Sequence, residues 1–285
     1  MFKPLAGILK QDKFLPLKYL QGITFELEIV NNLTDPVVST AGLDTSSQSP
    51  LTVWSSDNVI QDWTIRDCQI RCQLISLDNG LQNEYDKHVL DGQNLVVPYN
   101  QVITTSQSLG SANRDISINI TRACSRLKKI YMTQHTDTTG FVNVTSANKF
   151  LKPWSFFLHG MGVGYTADHQ GTKESEFQVQ LGAKRLPERA QASLTEQFSH
   201  FVQCCGRAPD INKVQYFEGK HVLAVDCRKV NAIGAGLSTK SGELLNLRLK
   251  YPTAVIDDHL PKEVTCYLVC ESLLEISDAG CIVLD

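Results

Sequence analysis

Apolar residues in this chain recur mostly at every second position. Ile23, Phe25, Leu27 and Ile29 alternate with Thr24, Glu26 and Glu28, the spacing of a strand with one face turned inward. Residues 14–20 form a short apolar run just before. Residues 63–75 form a longer strand candidate whose alternation slips by one near Asp67, the mark of a bulge. Extended segments are expected again at 95–104, 115–121, 130–133 and 176–182. The last third adds 214–217, 222–225, 244–249, 264–276 and 282–284.

Two stretches change period. Leu77, Leu81, Tyr85 and Val89 recur every four residues behind Ser76 and Asp78 and ahead of Gly92, which predicts a helix over 78–90. Ser193-Leu194-Thr195-Glu196 is a capping box followed by the stripe Phe198, Phe201, Val202 and Cys205, which predicts a second helix. A helical turn is expected over 122–128. Many strands, two clear helices, Gly and Pro between strands and no βαβ rhythm indicate a mainly β protein. The expected form is an antiparallel sandwich with two short helical insertions. The polar stretch 31–50, rich in Asn, Asp, Pro, Ser and Gly, is expected to be a surface loop.

Composition narrows the function. The 285 residues carry 42% hydrophobic and 20% charged side chains, enough for a sizeable core. The net charge of −3 is a poor match to bulk nucleic-acid binding, which needs a concentrated basic face. Arg122, Arg126, Lys128 and Lys129 make a local basic cluster, which as a short run reads as a solvated face. Nine cysteines in apolar, strand-like contexts do not form a disulfide framework. Cys68/Cys72 and Cys266/Cys270 are each four apart, which in a strand places each pair on one face as small hydrophobes. Strand residues rather than turn residues lie between them, against a zinc site. There is no secretory leader pattern and no run long enough for a membrane helix. The sequons at Asn32, Asn119 and Asn143 then read as chance, and a reducing intracellular site of synthesis is expected.

Several residue sets have the types that catalysis or ligand binding uses. Ser125 and Lys128 match S-x-x-K, Ser146 and Asn148 match S-x-N, and Lys240-Ser241-Gly242 approaches K-T-G, the order seen in serine acyl-transferases. Only about twenty residues separate the first two motifs, too few for the intervening helical domain. Gly160, Gly162 and Gly164, and Gly234 with Gly236, lack the strand-to-helix context of a phosphate cradle. His159, His169 and the Asp257-Asp258-His259 run do not form a ligand pattern. Glu174 and Glu176 have no supporting glycosidase motif. Trp54, Trp63 and Trp154 suit core or interface anchoring better than a sugar platform. No catalytic, cofactor or metal site is assigned, and the chain is expected not to be an enzyme.

Four segments, taken in order, resemble the double jelly-roll major capsid proteins of double-stranded DNA viruses, in particular polinton-like and virophage-like relatives. They are 14–20 running into 23–28, 65–70 through 81–85, 177–188 with the helix at 193–205, and 264–269 through 274–276 to 279–284. The resemblance implies an antiparallel jelly-roll sandwich, with 1–60 holding the end of a first roll plus a loop and 61–285 a second roll. It implies a structural protein of the virion that associates with copies of itself as a trimer or higher assembly, possibly with other capsid proteins. Neither membrane insertion nor specific nucleic-acid binding is implied.

Family members usually run to about twice this length. A fragment, a shortened relative, or a roll completed by another chain would each account for the difference. If the first roll is absent, 14–30 would form an exposed sheet edge that must be covered or will recruit a partner. Subunit contacts are expected at the loops 34–56, 136–153 and 160–173. The second reading is a cellular β-sandwich module that binds carbohydrate or protein.

Overall fold

The computed structural model describes residues 7–9, 14–20, 22–27, 64, 66–110, 113–135, 175–206, 211–213, 216, 221–228, 235–240, 242, 244–251, 260–261, 263–277 and 280–284. Nine strands are named: β1 (Leu95–Ser108), β2 (Asp115–Ile120), β3 (Leu127–His135), β4 (Glu176–Leu181), β5 (Lys184–Gln191), β6 (Leu223–Asp226), β7 (Leu245–Lys250), β8 (Glu263–Ser277) and β9 (Gly280–Leu284). Helix α1 (Asn79–Leu90) precedes β1, and α2 (Leu194–Cys205) lies between β5 and β6. Short 3₁₀ turns occupy Gly7–Leu9 and Leu17–Tyr19.

The first sheet has the order β1-β8-β3-β6, with β9 also on β8, and the second has the order β2-β7-β4-β5. Strands β1 and β8, β2 and β7, β3 and β6, and β4 and β5 pair antiparallel. The eight strands thus form one long hairpin folded at its middle, in which the first strand meets the last and each next strand meets the one before it. Two further pairings, β3 with β8 and β4 with β7, roll that hairpin into two facing sheets. Among the described residues between Leu95 and Ser277 this is an eight-stranded jelly roll.

Alternation decides which side chains line the interior. Ile116, Ile118 and Ile120 of β2, Leu245, Leu247 and Leu249 of β7, and Phe177, Val179 and Leu181 of β4 are all buried. Register aligns Ile118 with Leu247 and Leu247 with Val179. From the first sheet, Ile130, Met132, Val225, Val264, Cys266 and Leu268 complete the core. The intervening Ser117, Arg248 and Gln178 form the matching outward row.

A bulge in β3 sets the faces of the first sheet. Leu127 stands opposite Cys270 and Lys129 opposite Val269, with a shift between them. Lys128 is the extra residue, so Leu127 and Ile130, three apart, both reach the core. The bulge is braced from outside the sheet. Leu127 and Leu237 exchange backbone N–H···O bonds of 2.9 Å in both directions. Gly236 allows the approach, because a Cβ there would lie 2.8 Å from the Arg126 carbonyl carbon.

Helix α1 begins where the spacing predicts. Asp78 caps it, its side chain accepting from the Leu81 N–H at 2.7 Å. Helix α2 has the expected box. Ser193 Oγ accepts from the Glu196 N–H, Glu196 Oε2 accepts from the Ala192 N–H, and Gly206 closes the helix at φ 71°. Phe198 and Phe201 of its apolar stripe pack on the outer side of the first sheet, whereas Cys205 is exposed and Cys204 is buried in its place. There Phe201, Cys204, Tyr216 and Ala224 form a second small core, flanked by Tyr131, Phe198, Ile211 and Val222.

Several expected elements differ. Residues 14–16 and 22–27 carry no strand pairing, and 17–19 form a 3₁₀ turn. Ile23, Phe25 and Leu27 keep their alternation but are exposed, because alternation makes a strand only where an edge receives it. Residues 66–78 are likewise unpaired, with Ile70, Leu74 and Ile75 exposed and Asp67 at φ 53° where a bulge was expected. The turn expected over 122–128 is an irregular lead into β3. Lys213 and Tyr216 are helical where 214–217 was expected to be strand. β5 was not foreseen, since Pro187 and four charged residues over 184–191 hide its pattern; it sits at a sheet edge, where proline is tolerated.

Candidate functional site

The two outward faces of the roll differ in chemistry. On the second sheet the register stacks Asp115, Lys250 and Glu176 in one row, Ser117, Arg248 and Gln178 in the next, and Asn119, Asn246 and Gln180 in the third. Asn246 Nδ2 donates to Ser117 Oγ at 2.7 Å and to Asn119 Oδ1 at 2.6 Å. This is a polar face suited to water.

The first sheet is covered by α2 over β3 and β6. Beyond α2, register places Val102 beside Val269, Pro98 beside Leu273 and Leu284, and Val96 beside Glu275 and Ile282. Val96, Val102, Ile282 and Leu284, on one face by this register, are each 45–59% exposed. Clustered apolar side chains left open on a folded domain mark an interaction surface. Helix α1 adds Leu81, Tyr85 and Leu90, also exposed.

A polar clasp ties the N-terminal segment to this region. Lys18 Nζ donates to Asp86 Oδ2 at 2.6 Å, Tyr19 Oη to Asp86 Oδ1 at 2.5 Å, and Gln82 Nε2 to Tyr19 Oη at 3.2 Å. Lys18 and Tyr19 hold the Asp86 carboxyl below its ordinary value. Desolvation and the adjacent carboxylate push the Tyr19 phenol up to about 12. Cys281 Sγ contacts the Tyr19 carbonyl oxygen at 3.4 Å, which joins the same segment to β9.

The serine-lysine motif lies on the first sheet, and its geometry is not that of a nucleophile with a base one helical turn away. Ser125 lies in the loop before β3, and the bulge carries Lys128 to the outer face. There Lys128 Nζ pairs with the Glu271 carboxylate and donates to Asn100 Oδ1 at 3.1 Å. Arg126 Nη1 lies 3.9 Å from the same carboxylate. The Glu271 side chain is 3% exposed, and these cations compensate its buried charge. Ser125, Cys124, Gln101, Cys270, Glu271 and Ser272 line a small, shallow cleft open to solvent, well short of a substrate pocket. Ser272 Oγ and Gln101 Oε1 are bonded across it at 3.0 Å. Lys240 is exposed in the turn that follows Thr239, whose hydroxyl accepts from the Cys124 N–H at 2.7 Å.

The cysteine pairs divide. Cys266 and Cys270 are buried in the core, as the strand reading expects, whereas Cys68 and Cys72 are exposed because their strand does not form. Burial pushes the Cys204, Cys227 and Cys266 thiols up to about 12. Among the described residues, no group of three or more His, Cys, Asp and Glu is placed to hold a metal. No described helix is long and apolar enough to cross a membrane. Ser146, Asn148, His159, Gly160 to Gly164, His169, Glu174, Ser241, Asp257 to His259, all three tryptophans and the loops 34–56, 136–153 and 160–173 lie outside the described residues. Glu271 itself was legible as an anomaly, being the one acid inside the apolar run 264–274. Its partner, supplied by a bulge 143 positions earlier in the chain, had no local signal.

No protein-family model matches the chain, and no curated protein matches it by sequence. Among solved structures it is similar to the PBCV-1 virus capsid, quasi-atomic model, at 10% identity and TM-score 0.45, covering 73% of this chain and 54% of that one. It is similar to the PBCV-1 VP54 crystal structure fitted into a reconstruction of the virophage Sputnik, at 9% identity and TM-score 0.46, with the same coverage of 73% and 54%. It is also similar to a chain of the Sputnik virophage structure solved by cryo-EM, at 8% identity and TM-score 0.40, covering 67% and 38%. The chain spans about half or less of the length of these structures.

Proposed function

We propose that this chain is a structural, capsid-type building block that associates with copies of itself to form a shell, and that it is not an enzyme. The observation that carries the reading is the asymmetry of the closed roll. One outer face is polar throughout its central rows, while the β1–β8–β9 end of the other exposes Val96, Val102, Ile282 and Leu284. A shell works by geometry. A rigid sandwich keeps its surfaces in fixed relation, and repeated contacts between unlike surfaces generate rings. The serine-lysine pair fits the same reading, because Lys128 is engaged by Glu271 and Asn100 in bracing the sheet.

Under this proposal 61–285 is the roll-bearing unit, 1–60 supplies an extension belonging to a first roll, and the working location is the virion. The partners are further copies of the chain, as a trimer or larger ring, and possibly other capsid proteins. Light scattering on the purified chain across a concentration series tests it. The expected result is a stable trimer or larger ring that Leu284→Glu together with Val96→Glu converts to monomer without loss of folding. A wild-type chain that stays monomeric at high concentration, or a ring indifferent to both changes, overturns it.

A further inference from the structure

Strands β1, β6, β2 and β5 end the two sheets, and three of these edges are guarded. β5 carries Pro187, four charged residues and an irregular register. β6 has four residues and lies beneath α2. β2 has six and opens on Asp115. Charge, proline, irregularity, shortness and cover are the devices that keep an edge from pairing with another chain. β1 lacks them over its second half. Its register with β8 runs unbroken from Leu95↔Ile276 to Ser108↔Glu263, and no residue of Leu95–Ser108 is charged. The turn Gly7–Leu9 covers the edge at Asn100, where a Cβ on Gly7 would overlap the Asn100 carbonyl oxygen. Over 102–108, β8 is the only main-chain partner among the described residues. Alternate N–H and C=O groups of such a strand point away from the sheet. The same chain holds a strand pattern without an edge. Residues 68–77 form neither helix nor strand, and every side chain there is exposed. Cys68, Ile70, Cys72 and Leu74 alternate with Gln69, Arg71 and Gln73, which gives one apolar and one polar face in a strand. Ile70 and Leu74 are 64% and 75% exposed. The run 68–74 and the edge 102–108 are both seven residues long. The other unpaired run, 22–27, is shorter, and Tyr19 tethers the chain to α1 and β9 just ahead of it.

We propose that 68–74 is an exchange arm, which adds as a further strand to the 102–108 edge of β1 in a neighbouring copy. Main-chain bonds supply the affinity of such an addition, and alternate side chains set its specificity. The apolar face of the arm then lies beside Val102, on the outer face that Val102 shares with Val96 and Pro98 by register. Arg71 meets no like charge, because β1 carries none. A second copy is the fitting occupant because each chain holds one donor arm and one acceptor edge. A head-to-tail ring of copies leaves neither unused. This rests on the reading that copies of the chain associate, and it names the segment that joins them.

Disulfide trapping between two differently tagged preparations of the full chain tests it. The first carries Cys68→Ser, Cys205→Ser and Cys281→Ser, which leaves Cys72 as its exposed thiol among the described residues. The second also carries Cys72→Ser and gains a thiol on β1, as Val102→Cys, Thr104→Cys or Ser106→Cys in turn. All these positions are exposed. A disulfide needs Cα atoms about 4.4–6.8 Å apart, which directly opposed residues on neighbouring strands satisfy. Under mild oxidation, mixed-tag dimers are expected, with one of the three β1 positions favoured. They are expected to be lost when the arm also carries Ile70→Lys and Leu74→Lys, and to be absent with Ser117→Cys on β2. Light scattering on the same preparations separates the outcomes. Assembly without mixed dimers, dimers that survive the two lysines, or dimers formed equally with Ser117→Cys overturn the arm and leave self-association standing. A chain that stays monomeric and gives no mixed dimers overturns both. Should the variants fail to fold, amide exchange in the wild type decides. Protection gained over both 68–74 and 102–108 on assembly supports the arm, and no change in either refutes it.

Discussion

Replacing Lys128 with methionine tests how the first sheet tolerates a buried acid. The substitution keeps the length and apolar stem of the side chain and removes the ammonium paired with Glu271. The carboxylate is 3% exposed, and Arg126 stays 3.9 Å from it. Removing one partner of a buried pair typically costs about 3–5 kcal/mol. Arg126 and the partial exposure of Lys128 itself, 16%, place the expected loss at the lower end, about 3 kcal/mol. That is more than a hundredfold in the ratio of folded to unfolded chains.

Replacing both residues, as Lys128→Met with Glu271→Leu, removes the uncompensated charge along with the pair. The double variant is therefore expected to lie within about 1 kcal/mol of wild type, or above it. Urea unfolding of wild type, both single variants and the double variant at pH 7 closes the cycle. The reasoning is refuted if Lys128→Met costs less than about 1 kcal/mol, or if the two single losses simply add in the double variant.

Three further outcomes follow from the same coordinates. Gly236→Ala sets a Cβ 2.8 Å from the Arg126 carbonyl carbon, which is backbone and yields little, so a loss of about 1–3 kcal/mol is expected in thermal unfolding. Titration of the native chain with a thiol reagent at pH 8 is expected to modify Cys68, Cys72, Cys205 and Cys281, while the five buried thiols react only after denaturation. The clasp at Asp86 is expected to hold at neutral pH. Its carboxyl is lowered in the folded chain by Lys18 and Tyr19. Its contribution is therefore present above the ordinary carboxylate value of 3.8 and is lost as the pH falls through the lowered one. Amide exchange over 14–20 measured from pH 7 to pH 2 checks this, and an Asp86→Asn chain should lack the transition.

The residue pattern by itself determined the β character of the chain, both helices with their caps, and the inward rows of β2, β4, β7 and β8. These follow from local periodicity, because alternation and the capping box act over a few residues, and each is satisfied by its own neighbours or by any sheet that receives it. The tertiary structure decided the rest. Ile23, Phe25 and Leu27 alternate as well as Ile116, Ile118 and Ile120 do, yet only the second set has strands on hand to bury it. β5 forms despite Pro187 because β4 lies beside it. Lys128 meets Glu271 because a bulge turns it outward, and His221 meets Gln197 because α2 folds back over β6. Such contacts join residues 24 or 143 positions apart, and their energy exists only once the roll has closed.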